Sequence, residues 1–227
     1  MSDILREKWE KGKKECLRFY ELKLKWKEEQ FNHKFSLPVY LAPMIGDKKE
    51  VLIADLGAGM FSTMGCYWYG ATVKVYPSDI LAEEFRKILE KHQVVPIFPV
   101  EKQDMEKLTY KDESFDIVHC VNALDHCVNP GKAIQEMIRV CKTGGWIYLR
   151  HCPNNGEERN YEGLHHWNMY PTVNDDCLFW TKIKIFLLKK IDSRFHTEMK
   201  KEVGNEPEMI VSKLHKEITQ VVNMELL

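Results

Sequence analysis

A doubly wound, mostly parallel α/β sheet is the fold that residues 51 to 151 predict, and three observations carry the prediction. Short apolar runs at 51 to 55, 71 to 76, 94 to 98, 115 to 121 and 145 to 151 alternate with helix-forming segments at about 79 to 91 and 131 to 142. Such alternation builds βαβ units, whose strands lie side by side in one parallel sheet. The run Val51-Leu52-Ile53-Ala54-Asp55-Leu56-Gly57-Ala58-Gly59 then joins a strand suited to burial on both faces to an acid and two glycines. A turn of that kind at a strand's carboxyl end is where open α/β sheets bind ligands. Finally, 227 residues with 44% hydrophobic and 30% charged side chains suffice for one sizeable α/β core.

In chain order, residues 1 to 36 are expected to form a helical N-terminal cap on the sheet or over the ligand mouth. Lysine and glutamate there are mixed with Trp9, Leu17, Phe19, Tyr20, Leu24, Trp26 and Phe31 at helix-like spacing, without proline. The mixed charge signs disfavour a membrane-surface helix. Residues 37 to 227 form the main domain, opening with a connecting loop from Leu37-Pro38 to Lys49. Asp79, after the second strand, can serve a ligand or N-cap the helix that follows. Gln103-Asp104-Met105 follows the third strand, and the fourth leaves the sheet at Asn122-Ala123-Leu124-Asp125-His126. Gly144-Gly145 reads as the C-terminal stop of the second helix. Beyond 152 the rhythm breaks: about 152 to 172 reads as a substrate-loop insertion, 176 to 189 as strand-like, and Met209-Ile210-Val211 as a last, antiparallel edge strand.

Composition excludes several classes of function. A net charge of -1 and a pI near 6.8 leave no broad basic surface, so no nucleic-acid partner is expected. No apolar run approaches a membrane span, and Met1-Ser2-Asp3-Ile4-Leu5-Arg6 is no signal peptide, so the expectation is a cytoplasmic monomer or homodimer without a membrane partner. Seven dispersed cysteines suit reduced thiols rather than a disulfide frame. Three follow a histidine, at His119-Cys120, His126-Cys127 and His151-Cys152, but strand neighbours point to opposite faces, and no metal is expected. Asp175-Asp176 reads as a solvated turn.

The glycine turn discriminates between cofactors. A dinucleotide fingerprint needs a third small residue three positions after Gly59, and Met60, Phe61 and Ser62 fit it poorly. Asp-Leu-Gly-Ala-Gly instead resembles the first motif of class I S-adenosylmethionine-dependent methyltransferases. Asp79 lies 22 residues after Gly57, Asp104 follows the third strand, and Ala133 to Trp146 looks like that family's helix, turn and fifth strand, so the resemblance runs through 51 to 151. It implies a Rossmann-like methyltransferase sheet and S-adenosylmethionine as cofactor, leaving as S-adenosylhomocysteine. It implies Asp55, Gly57, Ala58 and Gly59 at the methionine moiety, Asp79 at the ribose, Asp104 at the adenine with Met105 beside it, and Asn122 at the fourth-strand exit. The chain departs from the family in lacking a third glycine near Phe61 and in placing Asp79 late after its strand.

Methyl transfer is an in-line displacement, and a hydroxyl acceptor also needs a base. His126 is the first candidate, followed by His151 and His165, since neutral imidazole accepts a proton near neutral pH. Asp125, Asn155, Tyr161, His165, Trp167 and Asn168 are the candidate acceptor-pocket residues, with Trp167 either stacking on a sugar ring or closing the core. Asp125 can orient His126, bind a hydroxyl or hold an ion. Asn-Ala-Leu-Asp-His together with Tyr-x-Gly-Leu-His-x-Trp-Asn is similar to a branch of bacterial methyltransferases associated with surface-polysaccharide and capsule biosynthesis. That resemblance implies O-methylation of a small, carbohydrate-related acceptor such as a sugar or nucleotide sugar. The alternatives are N-methylation of a small amine or protein, and an inactive cofactor-binding homologue. A nicotinamide dehydrogenase is disfavoured by the missing glycine.

Overall fold

The computed structural model describes residues 3–24, 35–200 and 208–217, so Trp26 and Phe31 lie outside the described residues. Its first half contains α1 (Asp3–Leu24), α2 (Ala42–Ile45), β1 (Glu50–Leu56), β2 (Thr72–Asp79), α3 (Ala82–Lys91), β3 (Glu101–Lys102) and β4 (Phe115–Val121). Next come α4 (Pro130–Val140), β5 (Cys141–His151), α5 (Asn155–Glu158), β6 (Asn168–Pro171), β7 (Cys177–Trp180), β8 (Ile185–Leu187), β9 (His196–Lys200) and β10 (Met209–His215). Seven strands form one sheet in the order β3-β2-β1-β4-β5-β10-β9, and β6, β7 and β8 form a second. β1 runs parallel to β2 and β4, and β4 to β5, while β10 is antiparallel to β5 and β9. The strand order reverses between β1 and β4, which is where an open sheet splits to admit a ligand.

Both sheet faces are covered. Along β1, Val51 and Ile53 pack with Leu41, Met44 and Ile45, whereas Ala54 and Leu56 join Ile134, Met137 and Phe179 on the other side. This is the two-residue alternation of a strand read against two separate layers. α4 is set by its first turn: the Asn129 side chain accepts from Lys132 N at 3.2 Å, and Pro130 occupies the first helical position. α1 lies against α3, with the Tyr20 and Phe85 rings 4.9 Å apart.

Several expected boundaries move. Residues 94 to 98 form no strand; Pro96 and Pro99 remove ladder donors, and the third strand is the short pair Glu101–Lys102. Gly144 and Gly145 do not stop a helix, because α4 ends at Val140 and the chain turns at once into β5. They sit in an irregular stretch of the β4–β5 pairing, where a Cβ on Gly145 would come 2.9 Å from Asp116 O. Asp79 ends β2 and does not cap α3, whose N-cap is Leu81. The loop from 37 to 49 holds a 3-10 turn, Val39–Leu41, and α2, which together bury Leu41, Met44 and Ile45. β10 is antiparallel, as expected, but β9 covers its outer side, so it is not the edge. Asp176 is buried rather than solvated and accepts from Cys177 N at 2.8 Å and Lys189 N at 2.9 Å. Among the described residues no helix is long and apolar enough to cross a membrane.

Candidate active site

A cavity of about 690 Å³ lies between α1 and the carboxyl ends of β1, β2 and β4. Gly57, Asp79, Asp104, Met105 and Asn122 line it, so five of the eight residues expected at the cofactor are brought together. His126 shares that wall. The opposite wall comes from α1, through Trp9, Cys16 and Tyr20, none of which the sequence singled out as a site residue. Leu164, from the insertion, closes the far side. α1 and the insertion meet closely enough that a Cβ on Gly12 would lie 2.5 Å from the Gly163 carbonyl carbon. Glycine at position 12 therefore permits the crossing that roofs the cavity.

The glycine turn is held in the left-handed region, with φ of 69° at Gly57 and 71° at Gly59. Tyr20 lies directly over Gly59, where a Cβ would meet its hydroxyl oxygen at 2.0 Å. Gly59 N donates to Asp79 Oδ2 at 3.0 Å and Leu81 N to Oδ1 at 2.8 Å. Burial pushes the Asp79 carboxyl up from its ordinary range, against the pull of these two donors. Asp104 sits at the exposed rim and accepts from Glu106 N at 2.9 Å.

Asp55, expected at the methionine moiety, is instead turned into the protein. It is the register partner of His119 across the β1–β4 pair, and His119 Nδ1 donates to Oδ1 at 2.8 Å. Ser62 Oγ donates to Oδ2 at 2.6 Å, and Tyr40 Oη donates to His119 Nε2 at 2.9 Å. Oδ2 thus braces the loop after β1, and Oδ1 ties β1 to β4. Ala58 N donates to Ser78 O at 3.0 Å, tying the same loop to β2. Neither Asp55, Ala58 nor Gly59 lines the cavity.

Beyond β4, Asn122 turns the chain with φ of 49° and accepts from Cys152 N at 2.8 Å. The 3-10 turn Leu124–His126 follows and presents Asp125 and His126 to the insertion. His165 Nδ1 donates to Asp125 Oδ2 at 2.6 Å, and His126 Nε2 stands 3.3 Å from His165 Nδ1 and 3.6 Å from Asp125 Oδ2. Asn155 Nδ2 reaches the same Asp125 oxygen at 3.3 Å. Burial alone would raise Asp125, but His126 and His165 outweigh it and hold its pKa down to about 2. Loss of solvent lowers His126, against the pull of Asp125, so its imidazole is neutral at neutral pH. The single hydrogen on His165 Nδ1 goes to Asp125, leaving the His126 Nε2 lone pair available.

The remaining candidates are structural. Trp167 is 4% exposed, and its Nε1 donates to Cys127 O at 3.0 Å, so it closes the core instead of offering a stacking face. Asn168 donates to Tyr161 Oη at 2.8 Å and accepts from Glu157 N at 2.8 Å, fixing the insertion's fold. His151 is buried off the cavity, and neither ring nitrogen has a hydrogen-bond partner.

Burial lowers the His151 pKa from 6.5 to about 4. The unfolded chain therefore takes up this proton near pH 6.5 and the folded chain only near pH 4. The contribution is complete above pH 6.5 and is lost as the pH falls towards 4, at a cost of about 3 kcal/mol. Denaturant titrations of wild type and His151→Leu at pH 7 and pH 4.5 should show a shallower pH dependence in the variant. Parallel pH profiles would contradict the assignment.

Residues 54–149 match the methyltransferase domain family (Methyltransf_11). This segment is similar to a methyltransferase domain. S-adenosylmethionine is the cofactor it implies, and the bare Gly57 backbone between Asp79 and Met105 fits that group. The chain is 25% identical over 100 residues to the phosphatidylethanolamine N-methyltransferase of Cereibacter sphaeroides, covering 44% of this chain and 49% of that protein. It is 25% identical over 137 residues to the ubiquinone/menaquinone biosynthesis C-methyltransferase of a Ruegeria species, covering 59% and 54%. It is 28% identical over 116 residues to the ubiquinone biosynthesis O-methyltransferase of Nitrosomonas europaea, covering 48% and 47%. The chain thus spans about half the length of the curated relatives it matches. Among solved structures, a chain of the complex between the Haloferax volcanii Trm112 methyltransferase activator and a methyltransferase superposes with a TM-score of 0.55 at 12% identity, covering 89% of this chain and 96% of that one. The domain and its Rossmann-like fold agree with the expectation from sequence, whereas the relatives are named for transfer to nitrogen, carbon and oxygen.

Proposed function

We propose that this chain is an S-adenosylmethionine-dependent O-methyltransferase of a small polar acceptor, of the sugar, nucleotide-sugar or surface-polysaccharide-precursor class. The supporting observation is His126: a neutral imidazole on the cavity wall, backed by the ionised Asp125 and by His165. The cofactor supplies a methyl group on a positively charged sulfur. His126 Nε2 would take up the proton that the acceptor hydroxyl gives up. Asp125 then faces an imidazolium, which its charge stabilises. α1 and Leu164 roof the cavity and limit water as a competing acceptor. The acceptor class rests on the likeness of the Asn122–His126 and Tyr161–Asn168 motifs to polysaccharide-associated methyltransferases, and a cytoplasmic location, as monomer or homodimer, belongs to the same reading.

Calorimetry with S-adenosylhomocysteine tests its foundation. Wild type should bind, and Asp79→Ala should bind roughly 10- to 100-fold more weakly, as befits loss of a charged hydrogen-bond acceptor. Absence of binding by wild type, or tighter binding of NAD, would overturn the reading.

A further inference from the structure

Asp125 Oδ2, His126 Nε2 and His165 Nδ1 all lie within 4.8 Å of one another, with separations of 2.6, 3.3 and 3.6 Å. Separations of 3.3 and 3.6 Å suit atoms ~2.0–2.2 Å from one ion, and the 2.6 Å pair opens to that spacing when the ion replaces the hydrogen between them and His165 carries its hydrogen on Nε2 instead of Nδ1. We propose that these three residues form a binding site for a first-row divalent transition ion such as Zn²⁺, and that the ion inhibits methyl transfer by occupying the lone pair that His126 uses to accept a proton. The inhibitory half rests on the function proposed above; the binding half does not.

Three further features support the site. The donor set of two imidazoles and one carboxylate suits Zn²⁺, Co²⁺ or Mn²⁺, whereas Mg²⁺ and Ca²⁺ prefer oxygen ligands. The second carboxylate oxygen, Asp125 Oδ1, is buried with no hydrogen-bond partner, on a residue that is 0% exposed. An orphaned anionic oxygen of this kind is costly without a cation close by. The ligands are also fixed in advance. His166 N and Trp167 N donate to the Asp125 carbonyl at 2.9 and 3.3 Å, pinning the segment that carries His165 to the turn that carries Asp125 and His126. Asn155 Nδ2, hydrogen-bonded to Asp125 Oδ2, supplies the outer contact that orients a ligating carboxylate. Because His126 lines the cavity, the remaining coordination positions open onto it and are within reach of water.

The test is calorimetry on full-length, chelator-treated protein titrated with ZnCl2 or MgCl2, with Co²⁺ absorbance reporting the coordination. Wild type should bind one Zn²⁺ per chain, at least ~100-fold more tightly than Mg²⁺. His165→Ala should lose at least ~10-fold in Zn²⁺ affinity while still binding S-adenosylhomocysteine, which shows that the variant is folded. Failure of wild type to bind Zn²⁺, or equal Zn²⁺ affinity in folded His165→Ala, overturns the site. In a methyl-transfer assay Zn²⁺ should lower turnover and chelator should restore it; a rise in turnover with Zn²⁺ overturns the inhibitory role. Intact S-adenosylhomocysteine binding without Zn²⁺ binding rejects this inference alone, and loss of S-adenosylhomocysteine binding by wild type rejects the proposed function alone.

Discussion

His126→Ala is expected to leave S-adenosylhomocysteine affinity nearly unchanged and to lower turnover by ~10²–10⁴-fold, the range that general base catalysis supplies. The expectation follows from placement. His126 is the histidine of the three candidates that lines the cavity, with a side chain 31% exposed. His165 stands behind it, hydrogen-bonded to Asp125, so His165→Ala should cost less and act through the orientation of His126. His151 lies off the cavity, and His151→Ala should not slow the chemical step. A full rate in His126→Ala with a large loss in His165→Ala would transfer the base to His165. Full rates in all three would indicate an amine or carbon acceptor, or catalysis by alignment alone. Chelator should not reduce wild-type activity, whereas a loss repaired by Mg²⁺ would make the ion part of the reaction.

Features written in contiguous residues are legible in the sequence itself. The Asp-Leu-Gly-Ala-Gly turn, the acid ending β2 and the acid after β3 each lie at or just beyond the carboxyl end of a strand, and the parallel sheet brings those ends to one crevice. What misled was set by contacts distant in sequence. Asp55 belongs to His119, 64 residues away, and only the β1–β4 register makes them neighbours. Its carboxylate could be read as a cofactor ligand because the chain does not announce a buried imidazole opposite it. Trp167 was equally ambiguous: an indole in a polar loop suits a sugar or a core, and the Cys127 carbonyl 40 residues earlier decides for the core. Tyr20 and Trp9 were recognisable as apolar positions of a helix, yet helical spacing cannot tell which partner that face meets. Residues 94 to 98 show the converse error, since apolar content suggested a strand where Pro96 and Pro99 deny it the ladder.

Gly57→Val is expected to abolish detectable S-adenosylhomocysteine binding and to destabilise the folded chain, by two separable causes. The first is backbone strain: φ of 69° places residue 57 in the left-handed region, where an L side chain costs ~1–2 kcal/mol and a β-branched one is least tolerated. The second is steric. A Cβ at this position would lie 2.3 Å from the Ala123 Cβ, and Ala123 is held in the turn between Asn122 and His126. Overpacking of a constrained site costs ~1–3 kcal/mol, and relief by moving Ala123 would displace two residues of the cavity wall. The added side chain thus disturbs the exit of β4 as well as the space above the glycine turn. Gly57→Ala alone and combined with Ala123→Gly separates the causes. The double variant should recover part of the stability and affinity lost by Gly57→Ala, because the clash is gone while the strain remains. Denaturant unfolding and calorimetry with S-adenosylhomocysteine on the same samples give both readouts. Affinity within ~3-fold of wild type in Gly57→Val, a change worth less than ~1 kcal/mol, would show that the cofactor does not rest on this turn.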